Sequence, residues 1–324
     1  MARPGGMNDT MKTTNGRTTE GLRPSTPSGA VGPCTPLKGH EKKTGLLLLV
    51  TLLFCACAPA ALAAPLRVVS LYPGHTDNVL ALGGGELLVG VSENDDPDLL
   101  PNLPRFSPKA GAESILAAKP DVVLLRGQVE RMNPNLSEVL TRSGVRVEVL
   151  DPPGWDGFAD YLRALADALG LEPEAGVRRL ETLRAEIAAE ARAARGERNA
   201  PRVFVEATAR ELHTCAPDSW AARLVALAGG ENAAGGAVPL RAGSALAPWG
   251  LERVLGAANG GLDVYLVQHG AMNASTAEDV RRRPWAGALS HVRVAEVPES
   301  WLSRPSLLGL ERGGRALIRI FYGE

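Results

Sequence analysis

The chain has 324 residues, 45% of them hydrophobic, and a formal net charge of -1. That length is enough for two modest α/β lobes, each with its own core, and the near-neutral balance gives no drive toward nucleic acid or an anionic membrane surface. Aromatic residues are only 4% of the total, so each Trp or Tyr outside an obvious core run is a candidate contact residue.

Residues 1–44 are rich in Gly, Pro, Ser, Thr and charge, lack apolar periodicity and predict no folded domain. Lys42 and Lys43 then precede an apolar run over 45–58, the grammar of a secretory leader. Two processing sites fit. Ala61-Leu62-Ala63 is an A-x-A site that would release a chain starting at Ala64, and Phe54-Cys55-Ala56-Cys57 resembles a lipoprotein signal with Cys57 as the lipidated residue. An uncleaved anchor ranks below both, because the second half of the run is Ala and Pro. Without the leader, Cys215 is the only thiol left, which excludes an internal disulfide or a thiol-ligated metal cluster and predicts a small buried residue.

From residue 67 onward strands and helices alternate. The pattern predicts a strand over 67–71, a helix over 76–82 stopped by Gly83-Gly84-Gly85, a strand over 87–91, and a helix over 113–118. A strand over 121–125, a helix over 135–142 and a strand over 145–150 follow. This is β-α-β logic, which favours parallel sheets covered by helices. Residues 171–198 break the rhythm. Val177, Leu180, Leu183 and Ile187 form one stripe of a long helix whose other faces carry Arg and Glu. A second α/β set then begins, with strands over 202–206, 262–267 and 293–297, helices over 219–228 and 251–255, and a closing helix over 305–322. The expected organisation is a leader (1–64), an N-terminal α/β lobe (65–170), a connecting helix (171–198) and a C-terminal α/β lobe (199–324). A ligand cleft lies between the two lobes.

Several blocks carry a family resemblance. Arg67-Val68-Val69-Ser70-Leu71-x-Pro73-x-x-Thr76-Asp77, then Ala81-Leu82-Gly83 and Val89-Gly90-Val91, resemble the opening of periplasmic binding proteins for cobalamin and ferric siderophores, in which the acidic residue after the Thr is usually Glu. Glu113-x-Ile115-Leu116-x-x-Lys119-Pro120-Asp121-Val122-Val123 resembles the next block, and Gly229-Gly230-Glu231-Asn232, Leu251-Glu252-x-Val254-Leu255 and Arg304-Pro305-Ser306 resemble those of the second lobe. The blocks occur in order over about 66–324. The resemblance implies two α/β lobes bridged by a backbone helix, a ligand held between them, and delivery to an ABC permease dimer with its ATPase subunits. It also implies that Glu113 and Glu252, one per lobe, dock on arginines of that permease. A carboxylate in the first turn of a helix is favoured by the helix dipole, and charges at an exposed rim guide encounter and register.

Parallel α/β sheets bind ligands beyond the carboxyl ends of their strands, so residues just after the strands are the site candidates. Tyr72, Phe106, Trp249 and Trp301 are candidate flat surfaces, and Arg304 a candidate partner for carboxylate or phosphate. Glu206, at the end of the first strand of the second lobe, joins this set. His75, His213 and His269 sit at or near predicted strand ends and are candidate metal ligands if they converge; with a preformed chelate no ligation by protein is needed. Trp155 and Trp285 fit a core role equally well. The bound ligand is expected to be an iron or cobalt chelate, with haem or a bare metal ion as the alternative, and no cofactor of the protein's own. The free protein is expected to be a periplasmic monomer without nucleic-acid partners. No Gly-x-Gly-x-x-Gly, phosphate-cradling Gly-Lys-Ser/Thr or Gly-x-Ser-x-Gly motif occurs. A chelatase-like fold is the one enzyme alternative, and the leader argues against it.

Overall fold

The computed structural model describes residues 64–323. The leader, both processing sites and Cys57 lie outside the described residues. Among those described, no helix is long and apolar enough to cross a membrane.

The first lobe is built on β1 (Val68–Ser70), β2 (Leu88–Ser92), β3 (Arg105–Phe106), β4 (Val122–Leu125) and β5 (Arg146–Val149), a wholly parallel sheet in the order β3-β2-β1-β4-β5. The Val- and Leu-rich central strands are buried on both faces, as parallel strands require. Val68, Val122 and Leu124 point to one layer, and Val69, Val123 and Leu125 to the other. Helix α1 (Pro73–Ala81) starts directly after β1, earlier than the expected 76, because a proline at the first helical position is preset for the helix. It stops where Gly83 takes a left-handed φ of 79°. Helices α2 (Ala112–Leu116), α3 (Gly127–Met132) and α4 (Leu136–Arg142) follow in turn, and α5 (Phe158–Leu169), which the sequence reading did not mark, presents Phe158, Leu162 and Leu165 to the core.

The long helix is α6 (Pro173–Arg195), with Val177, Leu180, Leu183 and Ile187 buried as the stripe predicts. The second lobe carries β6 (Arg202–Glu206), β7 (Thr214–Cys215), α7 (Trp220–Leu227), β8 (Glu231–Asn232), β9 (Leu246–Ala247), α8 (Leu251–Asn259), β10 (Val264–His269), α9 (Ala277–Arg281), β11 (Arg293–Pro298), α10 (Glu299–Leu302) and α11 (Leu307–Tyr322). Its main sheet is also parallel, in the order β11-β10-β6-β8, and β7 and β9 form a small antiparallel pair. Cys215 is free and buried on β7, and burial pushes its thiol up to about 12.

Helix α11 does not stay with its own lobe. It packs on α6, α7 and α1, so a single buried cluster joins Val68 and Val122 of the first sheet, Leu180, Leu183 and Ile187 of α6, Leu310 and Leu317 of α11, and Val203 and Val264 of the second sheet. The lobes are therefore tied by shared apolar core as well as by one strut.

Candidate functional site

In each sheet the chain leaves one central strand, builds to one side, then crosses to the other. The reversal lies between β1 and β4 in the first sheet and between β6 and β10 in the second. Open α/β sheets form their ligand crevice at the carboxyl ends of such strand pairs.

At the first reversal, Tyr72 follows β1 and Arg126 follows β4. The Arg126 guanidinium lies 4.5 Å from the centre of the half-buried Tyr72 ring, within cation–π range. Arg126 Nε also approaches Asp151 Oδ1 at 3.4 Å. The second lobe adds Arg304, whose guanidinium faces Asp77 of α1 at 3.9 Å, both side chains more than four-fifths buried. Burial raises the Tyr72 hydroxyl above the usual phenol range, while the charges of Arg126 and Arg304 pull it back.

Beneath this surface lies a buried polar layer. Asp95 receives hydrogen bonds from the Ser92 amide at 2.8 Å and the Thr76 hydroxyl at 3.2 Å, and its Oδ1 has no partner among the described residues. Burial pushes its carboxyl up to about 7. Asp77 is also raised by burial, against the pull of Arg304.

His75 belongs to that layer and not to the crevice surface, which corrects its assignment as a ligand or metal contact. It is fully buried. Its Nε2 lies 3.1 Å from the Leu125 carbonyl, so Nε2 carries the proton and donates it, and Nδ1, at 2.7 Å, accepts from the Tyr161 hydroxyl. Both nitrogens are occupied, and burial lowers its pKa to about 4. Phe106 is corrected likewise: only 7% exposed, it packs in the core against Gly90.

At the second reversal Glu206 ends β6, fully buried, so it too is removed from the contact set. Arg283 grips it with two donors, Nη1 to Oε2 at 2.5 Å and Nη2 to Oε1 at 2.9 Å, the Tyr265 hydroxyl donates to Oε2, and Asn273 Nδ2 donates to Oε1 at 3.2 Å. Asn273 Oδ1 accepts from the amides of Ala209 and Ser275. Asn273 thereby pins the loops after β6 and β10 to each other, and the ion pair ties the end of β6 to Arg283 just past α9. The loop after β6 holds Glu211 and Leu212 at φ 57° and 47°, a conformation that costs non-glycine residues energy and concentrates at functional sites.

The remaining candidates are spread over the second lobe. His213 is half-buried, with Nε2 3.2 Å from Glu211. His269 is exposed and Nδ1 meets the Ser275 carbonyl at 3.0 Å. Among the described residues no group of three or more His, Cys, Asp or Glu side chains is placed to hold a metal ion, so the condition on which His75, His213 and His269 were candidate metal ligands, their convergence, is not seen there. Trp249 is half-buried with Arg253 5.1 Å from its ring centre, and Trp301 is half-buried on α10 against the shared core. Trp155 stacks at a tilt on Trp220 and under Arg184, and Trp285 lies beside Tyr265. Glu113 and Glu252 are both exposed, each in the first turn of its helix. The sequence reading missed Arg126 and Tyr161. Arg126 directly follows β4, so the same strand-end rule finds it.

Residues 68–290 match a family described as periplasmic binding protein. A vitamin B12-binding protein of Pectobacterium carotovorum subsp. carotovorum (strain PC1) is 32% identical over 191 residues, covering 58% of this chain and 67% of that one. One from Yersinia pseudotuberculosis serotype O:1b (strain IP 31758) is 32% identical over 196 residues, covering 59% and 66%. Solved structures share the fold: a possible iron-binding periplasmic solute-binding protein of Staphylococcus epidermidis ATCC 12228 (TM-score 0.65, 19% identity, 79% of this chain and 98% of that one) and the periplasmic vitamin B12-binding protein of Vibrio cholerae (TM-score 0.54, 22% identity, 79% and 96%). The matched span runs from β1 past α9, through both crevice-forming strand pairs and the helix between them, and the chain belongs to the periplasmic binding protein family, whose members bind ligands for transport and are not enzymes.

Proposed function

We propose that this protein is the substrate-binding component of an ABC importer and that its ligand is a preformed metal chelate of the corrinoid class. The observation that carries the reading is the crevice surface at the first strand reversal, where the Arg126 guanidinium lies over the Tyr72 ring and Asp77, on the helix that begins beside Tyr72, faces Arg304 of the second lobe. That surface suits a large ligand with a flat face and polar rim. Histidines that lie apart or are already occupied within the protein favour a metal that arrives with its own ligands over a bare ion. The vitamin B12-binding relatives favour a corrinoid over haem or a ferric siderophore. The contact set is then Tyr72, Arg126, Trp249, Trp301 and Arg304, with His213 and His269 at the rim. The folded part of the exported protein is the two lobes 65–170 and 199–324 on the strut 171–198, in the periplasm. Glu113 and Glu252 meet the permease. Lobe closure is small, since the shared core resists a wide hinge.

Titrating the purified protein with cyanocobalamin, hemin, a panel of ferric siderophores and bare metal ions, read by tryptophan fluorescence, tests the reading. Tight binding of a corrinoid is the expected result. Binding of bare metal alone, lost on replacing His213 or His269, would overturn it. For anchoring, we propose Cys57 as the lipidated residue: Cys57→Ala then moves the protein from the membrane to the soluble fraction, and no shift assigns processing after Ala63.

A further inference from the structure

Asp95 is a buried acid with an incomplete set of partners. It is only 4% exposed, and its Oδ1 has no hydrogen-bond partner among the described residues. Arg105 of β3 does not pair with its carboxyl but gives Nη1 to the Asp95 carbonyl at 2.8 Å and Nη2 to the Asp96 carbonyl at 3.0 Å. The Oδ2 atom, by contrast, begins a chain. It lies 2.8 Å from the Ser92 amide and 3.2 Å from Thr76 Oγ1. Thr76 Oγ1 is 2.9 Å from Ser70 Oγ, and Ser70 Oγ is 3.1 Å from the Tyr72 carbonyl. Thr76 and Ser70 are fully buried. The Tyr72 carbonyl is also the acceptor for the His75 and Thr76 amides, at 2.9 and 3.2 Å, in the turn that opens α1.

A hydroxyl has one proton to donate, so Thr76 cannot serve Asp95 and Ser70 together. When Asp95 is ionised, Thr76 donates to the carboxylate and Ser70 loses its donor. When Asp95 is neutral, its own proton goes to Thr76, Thr76 donates to Ser70, and Ser70 donates to the Tyr72 carbonyl. The charge on Asp95 therefore sets the direction of a chain that ends on the turn bearing the Tyr72 ring. The Ser92 amide, Thr76 and the charge of Arg304 favour the carboxylate, while burial and the charge of Asp77 favour the acid. Asp77 in turn faces Arg304, Arg312 and Asp96. Burial outweighs the rest and pushes Asp95 up to about 7, whereas His75, the buried imidazole of the same turn, changes charge near 4.

We propose that Asp95 is a positioning residue for the ligand site: as the neutral acid it drives the hydroxyl chain through Thr76 and Ser70 that holds the Tyr72 turn in its binding form, and as the carboxylate it breaks that chain at Thr76. The inference rests on the reading above in taking Tyr72 as a ligand contact, and adds the group that controls it. A ligand seated on the crevice surface removes water from above the buried layer, which disfavours the carboxylate further. Binding therefore favours the protonated form, and by reciprocity affinity falls as pH rises through neutrality.

The test has a ligand-free arm and a ligand arm. Backbone amide NMR signals of the purified protein are followed from about pH 6 to about pH 8.5, on either side of the Asp95 transition. The expected result is that the Tyr72, His75 and Ser92 amides titrate together in wild type and stay flat in Asp95→Asn. In Thr76→Val the Ser92 amide still titrates and the Tyr72 amide does not, and Thr76→Ser restores the link; circular dichroism shows which variants are folded. A Tyr72 amide that does not move in wild type, or one that still titrates in Asp95→Asn, overturns the proposal. Titration of Tyr72 that survives Thr76→Val shows the charge acting through space and overturns the chain. In the second arm, cyanocobalamin affinity should weaken about tenfold over the same range in wild type and not at all in Asp95→Asn or Thr76→Val. Equal affinity across the range in wild type overturns the coupling to ligand. Failure to bind cyanocobalamin at any pH overturns the corrinoid reading alone, and the chain is then decided by the amide signals.

Discussion

The side chain of Asn78, on α1 of the first lobe, closes the start of the last helix of the second: its Oδ1 accepts from the Leu307 amide at 2.9 Å and its Nδ2 donates to the Pro305 carbonyl at 3.3 Å. The same Nδ2 donates to Gly74 at 2.7 Å within its own helix. Asn78 is fully buried, so these bonds work in a dry junction, where an unmet backbone group is expensive. One residue earlier on the same helix, Asp77 faces Arg304. The segment that delivers Arg304 to the crevice is therefore fixed by the helix that begins beside Tyr72.

Replacing Asn78 by Ala removes the partner of a buried amide, and the expected cost is about 1–3 kcal/mol of stability. Urea unfolding followed by circular dichroism measures it. Because the junction joins the lobes, ligand affinity should fall as well; an unchanged midpoint would show that water replaces the lost bonds.

Two buried groups near the crevice respond to pH in opposite senses. His75 has its pKa lowered from 6.5 to about 4, so the native state binds fewer protons than the unfolded chain in that window. Its contribution is present above about 6.5 and is lost as pH falls toward 4, by about 3 kcal/mol at most. Asp95 is raised from 3.8 to about 7, so the native state binds more protons there, and stability is lost as pH rises through about 7. The two slopes offset each other in the wild type. In Asp95→Asn the second is gone, and stability should drop more steeply between pH 7 and 4.5 than in wild type. Urea midpoints at both pH values give the comparison, and superimposable profiles would refute the assignment.

Much of the scaffold was readable because its signals are local. The stripe Val177, Leu180, Leu183, Ile187 marks α6 through helical spacing alone, and Gly83 marks the end of α1 because a left-handed residue is needed there. The site was less readable because position at a strand end does not give direction. His75 was placed in the crevice, yet it sits four residues from Val79 on one face of α1, and both are fully buried. That spacing was available as a signal. Phe106 closes over Gly90, a small residue on the neighbouring strand, through a register that only the sheet reveals. Glu206 finds Arg283 77 positions away, and no local pattern announces such a pair. Helix α5 carries its own signal, since Phe158, Tyr161, Leu162, Leu165 and Leu169 recur at helical spacing and are all buried.

The Glu206–Arg283 pair is hydrogen-bonded at both carboxylate oxygens and buried, with Arg283 only 17% exposed and Glu206 not at all. Removing one member leaves the other charge buried and unmatched, at a cost of about 3–5 kcal/mol. Arg283→Met should therefore be strongly destabilised, and the double variant Glu206→Gln, Arg283→Met should recover part of the loss. Thermal and urea unfolding of the two variants measure the difference. Equal stability would mean that water or Asn273 already compensates the carboxylate.

Glu113 and Glu252 sit on different lobes, exposed, each in the first turn of a helix and without an ion-pair partner among the described residues. Among the described residues neither side chain has a hydrogen-bond or ion-pair partner, so replacing them should leave fold and ligand affinity unchanged. Their expected role is at the permease, where exposed charges govern encounter and register more than affinity. Single changes to Ala should slow uptake most at low salt, and the defect should shrink as salt rises, because screening also removes the wild-type attraction. The double change, and more so charge reversal to Lys at both positions, should abolish uptake of labelled ligand by cells while the purified variant still binds that ligand normally. If affinity falls together with uptake, these residues belong to the ligand site and the docking assignment fails. If uptake survives double charge reversal, the permease grips another surface.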